Sequence, residues 1–348
     1  MVRSGRARCG QSFGGTGRQD SPARTNLQRH AQHVGTARNS VSLTVGFATP
    51  TTFWQSSFKE KQATLQSLTD VGIDQVYMAD HVSFRDGSGT DGFVEIAALS
   101  QLHPSIRVMI SVYLLALRHP MPVARQLATM STVAPGRVTL GVGVGGDDRH
   151  EIEVCGVDPR TRGRRTDESL QIIRALMRGE PIDFDGEFYT LEQAQIRPAL
   201  DPPVPLIIGG RSDAALRRTA RYGDGWIGAW CSPRRYVEAL GIVDAQAEAA
   251  GRGDVDWQHG YQPWVGVADT VERARELVAG AMEGFYKVPF EAFEKYVPYG
   301  TPEMVAEALH PYVDAGCSML NLKVVAENDP ASIEAGGQIA AHLRASVT

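Results

Sequence analysis

The stretch Pro205-Leu-Ile-Ile-Gly-Gly-Arg-Ser-Asp-Ala-Ala-Leu-Arg-Arg-Thr-Ala-Arg-Tyr-Gly-Asp-Gly-Trp226 reads as a strand, a helix and a second strand in quick succession. Leu206–Ile208 is a short buried strand, Gly209-Gly210 is a turn, and a helix opens at Ser212. Gly223-Asp224-Gly225 then turns the chain into a strand that starts at Trp226. A strand that passes through glycines into a helix N-terminus suits an anion. The bare backbone allows close approach, and the first helical N–H groups have no intrahelical partner. Ser212 serves there either as the N-cap or as a hydroxyl donor to a phosphate. Taken alone, the stretch is equally compatible with a tight turn and a plain helix cap.

Outward from this unit the same alternation recurs from Val41 onward. Strands are predicted at Val41–Phe47, Ile73–Ala79, Ile106–Tyr113 and Val138–Gly146, and later at Leu206–Ile208, Trp226–Ala229, Tyr261–Val267 and Met319–Val325. Helical spacing separates them. One helix opens with the capping box Ser57-Phe-Lys-Glu60, others cover Phe93–Leu102, Met121–Val133 and Val271–Met282, another is capped by Thr301-Pro302, and Ile333–Leu343 closes the chain. After the fourth strand the rhythm breaks for a helix over Arg162–Arg178 and a hairpin, Asp183-Phe-Asp-Gly-Glu-Phe-Tyr189, turning at Asp185-Gly186. Near-continuous apolar strands alternating with helices indicate an α/β fold, a parallel (β/α)8 TIM barrel with an insertion after strand 4. Such barrels keep their chemistry at the strand C-termini. That rule places Asp80-His81, Ser111-Val112, Gly141–Gly146 and Gly209–Ser212 on one rim.

Length and composition agree with a single barrel domain over residues 41–348 of the 348-residue chain, with 43% apolar and 22% charged residues. The net charge of −5 is uneven: residues 1–40 carry seven arginines against Asp20, a charge of +6, which leaves −11 for the rest. An acidic body excludes nucleic acid as its partner. The Arg-rich segment lacks the apolar core of a secretory signal; it is set apart as a disordered extension, a transit-type leader or the product of an early start codon. Cys9, Cys155, Cys231 and Cys317 are scattered without C-x-x-C spacing, which suits a reducing, cytoplasmic setting and offers no zinc site. No apolar run is long enough to cross a membrane, so no membrane partner is expected.

Three constellations carry chemical potential. Gly141, Gly143 and Gly146 satisfy G-x-G-x-x-G with Asp167 downstream, but the acid falls inside a predicted helix. The loop also continues into Asp147, Asp148, Glu151 and Glu153, which would repel a pyrophosphate. A flat ring lying against bare backbone, or a plain barrel bulge, accounts for these glycines better. Asp80-His81 is an acid/base candidate, with a polar strand end as the alternative. Trp226, Trp230, Tyr261, Trp264, Phe285 and Tyr286 wall an apolar pocket or fill the core. No H-x-H, H-E-x-x-H or G-x-S-x-G pattern occurs, so no metal centre and no hydrolase elbow is expected.

The order of motifs resembles the bacterial luciferase-like oxidoreductases, a barrel family that uses FMN or the deazaflavin coenzyme F-420. The matching pieces are Ala79-Asp80-His81, Arg118-His119-Pro120, Pro135-Gly136-Arg137 leading into Gly141-Val142-Gly143, Cys155-Gly156-Val157, Gly186-Glu187-Phe188-Tyr189, Ile208-Gly209-Gly210-Arg211-Ser212, Gly223-Asp224-Gly225-Trp226 and Tyr312-Val313-Asp314-Ala315-Gly316. The resemblance implies that Gly209, Gly210, Arg211 and Ser212 hold the cofactor phosphate. It implies a non-prolyl cis peptide at Ser111-Val112 supporting the ring, with Val144, Gly145 and Gly146 on the ring's other side. Asp80 would bond the ring region and His81 would be the catalytic acid/base. Two departures separate the chain from the family's sugar-phosphate dehydrogenases, which have a Trp shortly after the His and a Glu where Gly146 stands. Both count against a sugar-phosphate substrate. The implied activity is hydride transfer between coenzyme F-420 and a small organic substrate. The alternatives are an FMN monooxygenase fed by a flavin reductase and a non-catalytic flavin-binding barrel. A homodimer is the implied assembly.

Overall fold

The structure, a computed structural model, describes residues 43–50, 52–146 and 148–346. The Arg-rich segment, Cys9, the first residues of the predicted opening strand and Asp147 lie outside the described residues. In chain order the barrel half opens with β1 (Thr44–Ala48), α1 (Phe58–Asp70), β2 (Gln75–Met78), α2 (Gly92–Leu102), β3 (Arg107–Leu114), α3 (Pro120–Val133) and β4 (Val138–Gly143). The insertion follows: α4 (Arg149–Val154), α5 (Arg162–Met177) and the hairpin β5 (Ile182–Asp185) and β6 (Thr190–Ala194). Then come β7 (Leu206–Gly209), α6 (Asp213–Tyr222), β8 (Gly225–Gly228), α7 (Pro233–Ala249), β9 (Gly260–Tyr261) and β10 (Trp264–Val267). The chain ends with α8 (Val271–Tyr286), β11 (Tyr299–Gly300), α9 (Pro302–Asp314), β12 (Met319–Val325) and α10 (Asp329–Ala345).

Parallel pairing runs β1-β2-β3-β4-β7-β8-β9-β12, and β12 returns to β1 with Thr44 opposite Met319, which closes an eight-stave barrel. Side chains alternate across each stave. On β12, Leu320, Leu322 and Val324 face the helices, whereas Met319, Asn321 and Lys323 face the lumen row by row. The lumen is filled by Ala48, Tyr77, Met109, Ile207, Ile227 and Met319. A polar column stands among them: Gln75 Nε2 donates to Asn321 Oδ1 at 2.8 Å, and Asn321 Nδ2 reaches Met109 Sδ at 3.3 Å. Gly46 is glycine because a Cβ there would collide with the Asn321 amide.

Two local readings differ from expectation. The seventh stave is not one strand over Tyr261–Val267. It splits into β9, paired with the start of β12, and β10, paired with its end, because Pro263 has no N–H for the ladder. The insertion hairpin also turns more widely than a two-residue Asp185-Gly186 turn; Gly186 N donates to Tyr189 O at 2.9 Å across a four-residue loop. The capping box at Ser57 forms as read, with Glu60 answering the Ser57 N–H. Among the described residues, no helix is long and apolar enough to cross a membrane.

Candidate active site

The floor of the site begins at the end of β3. Register with β4 is kept up to Ile110 and resumes only at Tyr113, so Ser111 and Val112 form a bulge, and the peptide joining them is cis. The bulge lifts Val112 over the last lumen-facing positions of β4 and β7, which are Gly141, Gly143 and Gly209. A Cβ on Gly143 would overlap Val112 Cγ2, and one on Gly209 would stand 2.9 Å from Val112 Cγ1. One on Gly141 would press at 2.5 Å on the Ile110 carbonyl. The first two glycines of the G-x-G-x-x-G pattern therefore serve the bulge, the structural alternative left open by the sequence. Ser111 Oγ donates to Gln262 Oε1 at 2.6 Å, and the break between β9 and β10 is what brings Gln262 there. Beyond β4, Val144, Gly145 and Gly146 continue along the cavity wall, with Gly145 at φ 71° and Gly146 at φ 146°.

Asp80 and His81 follow β2 but do different work. The Asp80 carboxylate is 1% exposed and is gripped by both Arg118 guanidinium nitrogens at 2.7 and 2.8 Å, by Leu114 N at 2.9 Å and by Gly92 N at 3.1 Å. Burial pushes its pKa up, and the Arg118 charge and the two amides pull against that rise. This carboxylate ties β2, α2 and the end of β3 into one corner. His81 instead turns into the cavity, and its Nδ1 lies 3.1 Å from Glu151 Oε2. Glu151, on the short helix α4, is 2% exposed; its Oε1 also accepts from Val82 N at 2.7 Å and Ser83 N at 3.2 Å. With a carboxylate opposite it, Nδ1 is the donor of this pair, and a ring carrying a single proton therefore leaves Nε2 as an acceptor. The imidazole also packs on Phe84, centroid to centroid 4.2 Å.

The loop after β7 is held from several sides. Trp226 Nε1 donates to Gly210 O at 2.7 Å, and Ser212 caps α6 by accepting from Ala215 N at 3.3 Å. Gly210 sits at φ 121°, a conformation that side chains oppose, and with Arg211 and Ser212 it is exposed. Asp224 accepts from Leu206 N at 2.9 Å and from Arg174 of α5 at 2.6 Å, so the insertion clamps the strand pair. Asp167, the helical acid downstream of the G-x-G-x-x-G pattern, is bonded to the buried Arg218 at 2.6 Å, in keeping with the rejection of a dinucleotide site.

These parts surround one cavity of about 990 Å³, in the upper range for small-molecule and cofactor sites. Asp80, His81, Ser111, Val112, Val144, Gly145, Gly146, Gly209, Gly210 and Arg211 all line it; Ser212, the exposed N-cap of α6, is not part of the lining. The aromatic set divides: Trp230, Trp264, Phe285 and Tyr286 line the cavity, while Trp226 and Tyr261 are core. Arg85 donates to the Phe285 and Tyr286 carbonyls at 2.6 and 3.1 Å, which joins the loop after His81 to the end of α8. Sequence reasoning missed Glu151, Arg118, Gln262 and Lys323 as site residues. In the sequence Arg118 belongs to the Arg118-His119-Pro120 motif with no role of its own, and Glu151 reads only as a charge repelling a pyrophosphate. Gly146 brings no side chain, yet a carboxylate enters the cavity from position 151.

Comparison with known proteins agrees with this architecture. The family pattern described as luciferase-like monooxygenase matches residues 37–299. The chain is 32% identical over 283 residues to the F-420-dependent glucose-6-phosphate dehydrogenase of Amycolatopsis mediterranei, covering 72% of this chain and 84% of that protein. It is 36% identical over 170 residues to an uncharacterized protein of Mycobacterium tuberculosis, covering 49% of this chain and 58% of that one. The chain thus spans little more than half the length of several curated relatives that it matches. The solved structure of an F-420-dependent secondary alcohol dehydrogenase superposes with a TM-score of 0.75 at 20% identity, over 87% of this chain and 99% of that one, and so shares the fold. From its closed barrel, its insertion after the fourth stave and the match across residues 37–299, the chain belongs to the luciferase-like monooxygenase family.

Proposed function

We propose that this protein is a coenzyme F-420-dependent oxidoreductase that moves a hydride between the deazaflavin and a small organic substrate. The observation that carries the reading is the convergence on one cavity of the Val112 ridge, the bare Gly209-Gly210 backbone and the His81–Glu151 pair. The residues fit such a cofactor. Gly209, Gly210, Arg211 and Ser212 offer amides, a guanidinium and a hydroxyl at the start of α6 to a phosphate. Ser111-Val112 on one side and Val144, Gly145 and Gly146 on the other would flank the ring, and Asp80 keeps that corner in place through Arg118.

Bound there, a deazaflavin supplies hydride transfer with little reaction toward oxygen. The protein's part is to place and protonate. His81 Nε2 accepts the proton of a substrate hydroxyl as it becomes a carbonyl, or returns one in reverse. Glu151 fixes the ring's tautomer and the loop that bears it. Trp230, Trp264, Phe285 and Tyr286 exclude water from an apolar substrate body. Relatives named as F-420-dependent across 72% of the chain favour the deazaflavin over FMN. Fluorescence titration with F-420 and with FMN tests the choice. Micromolar binding of F-420 is expected. Micromolar FMN with no F-420 would point instead to a monooxygenase supplied by a flavin reductase.

A further inference from the structure

One charged group in the cavity takes no part in that chemistry. Lys323 is the third lumen-facing residue of β12, in the row Met319, Asn321, Lys323, and it lines the cavity at its mouth. In the barrel order β12 stands four staves from β4, across the mouth from Gly143 and the glycines that follow it. Its register partner is Trp264 of β10, and Nζ lies 5.8 Å from the Trp264 ring centroid.

Among the described residues, the carboxylates lining the cavity all have polar partners. Asp80 holds Arg118, Glu151 holds His81, and Glu327 takes Arg273 at 2.7 Å. Asp329 accepts from Thr52 Oγ1 at 2.7 Å, and Glu95 accepts from Thr90 and Trp54. Among the described residues, the two cations of the lining, Arg211 and Lys323, have ring faces as their direct contacts; Arg211 lies 5.4 Å over Trp230, is exposed, and belongs to the loop assigned to the cofactor phosphate. That leaves the Lys323 ammonium as the cation of the substrate side, with no hydrogen bond or ion pair from its side chain within the described residues. Desolvation pulls its pKa down, and only Asp329 acts against that, so an anion arriving beside it would be welcome.

We propose that Lys323 is a specificity-determining residue that binds a carboxylate, and that the substrate is a monoanionic organic acid whose apolar or ring-bearing body packs on Trp264, Phe285 and Tyr286. This rests on the same cavity being the redox site. A single ammonium suits a carboxylate. Among the described residues five carboxylates line the cavity (Asp80, Glu95, Glu151, Glu327 and Asp329), and a phosphate dianion would meet them with one lysine on this side. The aromatic faces beside Lys323 supply contact area for the rest of the molecule.

Benzoate and its neutral analogue benzamide serve as probes, measured by calorimetry on the full chain with and without F-420. Wild-type protein is expected to bind benzoate about tenfold or more tightly than benzamide, the worth of one charge-assisted hydrogen bond. Lys323→Met should lose that preference while benzamide affinity and F-420 affinity stay unchanged, and Lys323→Arg should restore most of it. Equal binding of the two probes to wild type, no benzoate binding at all, or a preference that survives Lys323→Met and Lys323→Gln would overturn the proposal. If F-420 fails to bind while the benzoate preference tracks Lys323, the cofactor reading falls and the anion site stands. The opposite pattern removes only the role of Lys323.

Discussion

Replacing Glu151 with glutamine separates the two things its carboxylate does. In the wild type Oε1 receives the Val82 and Ser83 amides at 2.7 and 3.2 Å, while Oε2 faces His81 Nδ1 at 3.1 Å. The amide oxygen of the introduced glutamine can keep the two backbone donors, and its NH2 must then face Nδ1. Two donors cannot share that contact, so the imidazole proton moves to Nε2. The loop stays in place at a cost of about 1–2 kcal/mol, the difference between a charged and a neutral acceptor. Glu151→Ala strips three part-buried donors of their acceptor and should cost about 2–3 kcal/mol. Urea unfolding measures both costs, and long-range 1H–15N correlation of the His81 ring reports the tautomer directly. With the proton on Nε2, His81 cannot accept a proton from substrate, and turnover of an alcohol should fall by roughly 10²-fold or more in the glutamine variant. The reasoning fails if Glu151→Gln keeps the proton on Nδ1, or if the alanine variant unfolds at the wild-type urea midpoint.

Further outcomes follow from the packing. Gly143→Ala would drive a methyl into Val112 Cγ2; overpacking of this kind costs about 1–3 kcal/mol, and the thermal midpoint should fall accordingly, whereas an unchanged melt would mean that Val112 has room to move. Arg218→Ala removes a guanidinium that is only 6% exposed from Asp167, so α6 loses its tie to the insertion; with Asp167 more than a third exposed, the loss should be about 2–3 kcal/mol by urea unfolding. Burial pushes the Cys231 and Cys317 thiols up to about 11 from an ordinary value of 9.0. Between those pH values the unfolded chain has released protons that the folded chain still holds, so stability falls as pH rises. The slope is about 1.4 kcal/mol per pH unit for each thiol, and the Cys231→Ala/Cys317→Ala double variant should flatten it.

The staves were readable because strands buried on both faces appear as continuous apolar runs between helical periodicities. The seventh was drawn as one strand because its apolar pattern spans Pro263, whereas backbone donors decide where a ladder can continue. The site was readable as positions at strand ends, and those residues do meet around one cavity. Its chemistry was less so. Glu151 reaches His81 across about seventy residues of chain, and the spacing of neither residue carries a trace of the other. The aromatic residues could not be sorted in advance either. Trp226 and Tyr261 point to the helices and Trp230 and Trp264 to the cavity: Tyr261 and Trp264 are parted by stave register and the break at Pro263, whereas Trp230 lies past the end of β8, at φ 47°, outside strand alternation. Lys323 is one charge in an apolar strand, and its register row is what shows that it faces the lumen.

The most direct test of the central claim is a crystal structure of this protein grown or soaked with coenzyme F-420. The account predicts deazaflavin density against Val112, with the cofactor phosphate on the amides of Gly209–Ser212 and His81 Nε2 open to the remaining cavity. Density for the ring anywhere else, or a phosphate away from the start of α6, would contradict it.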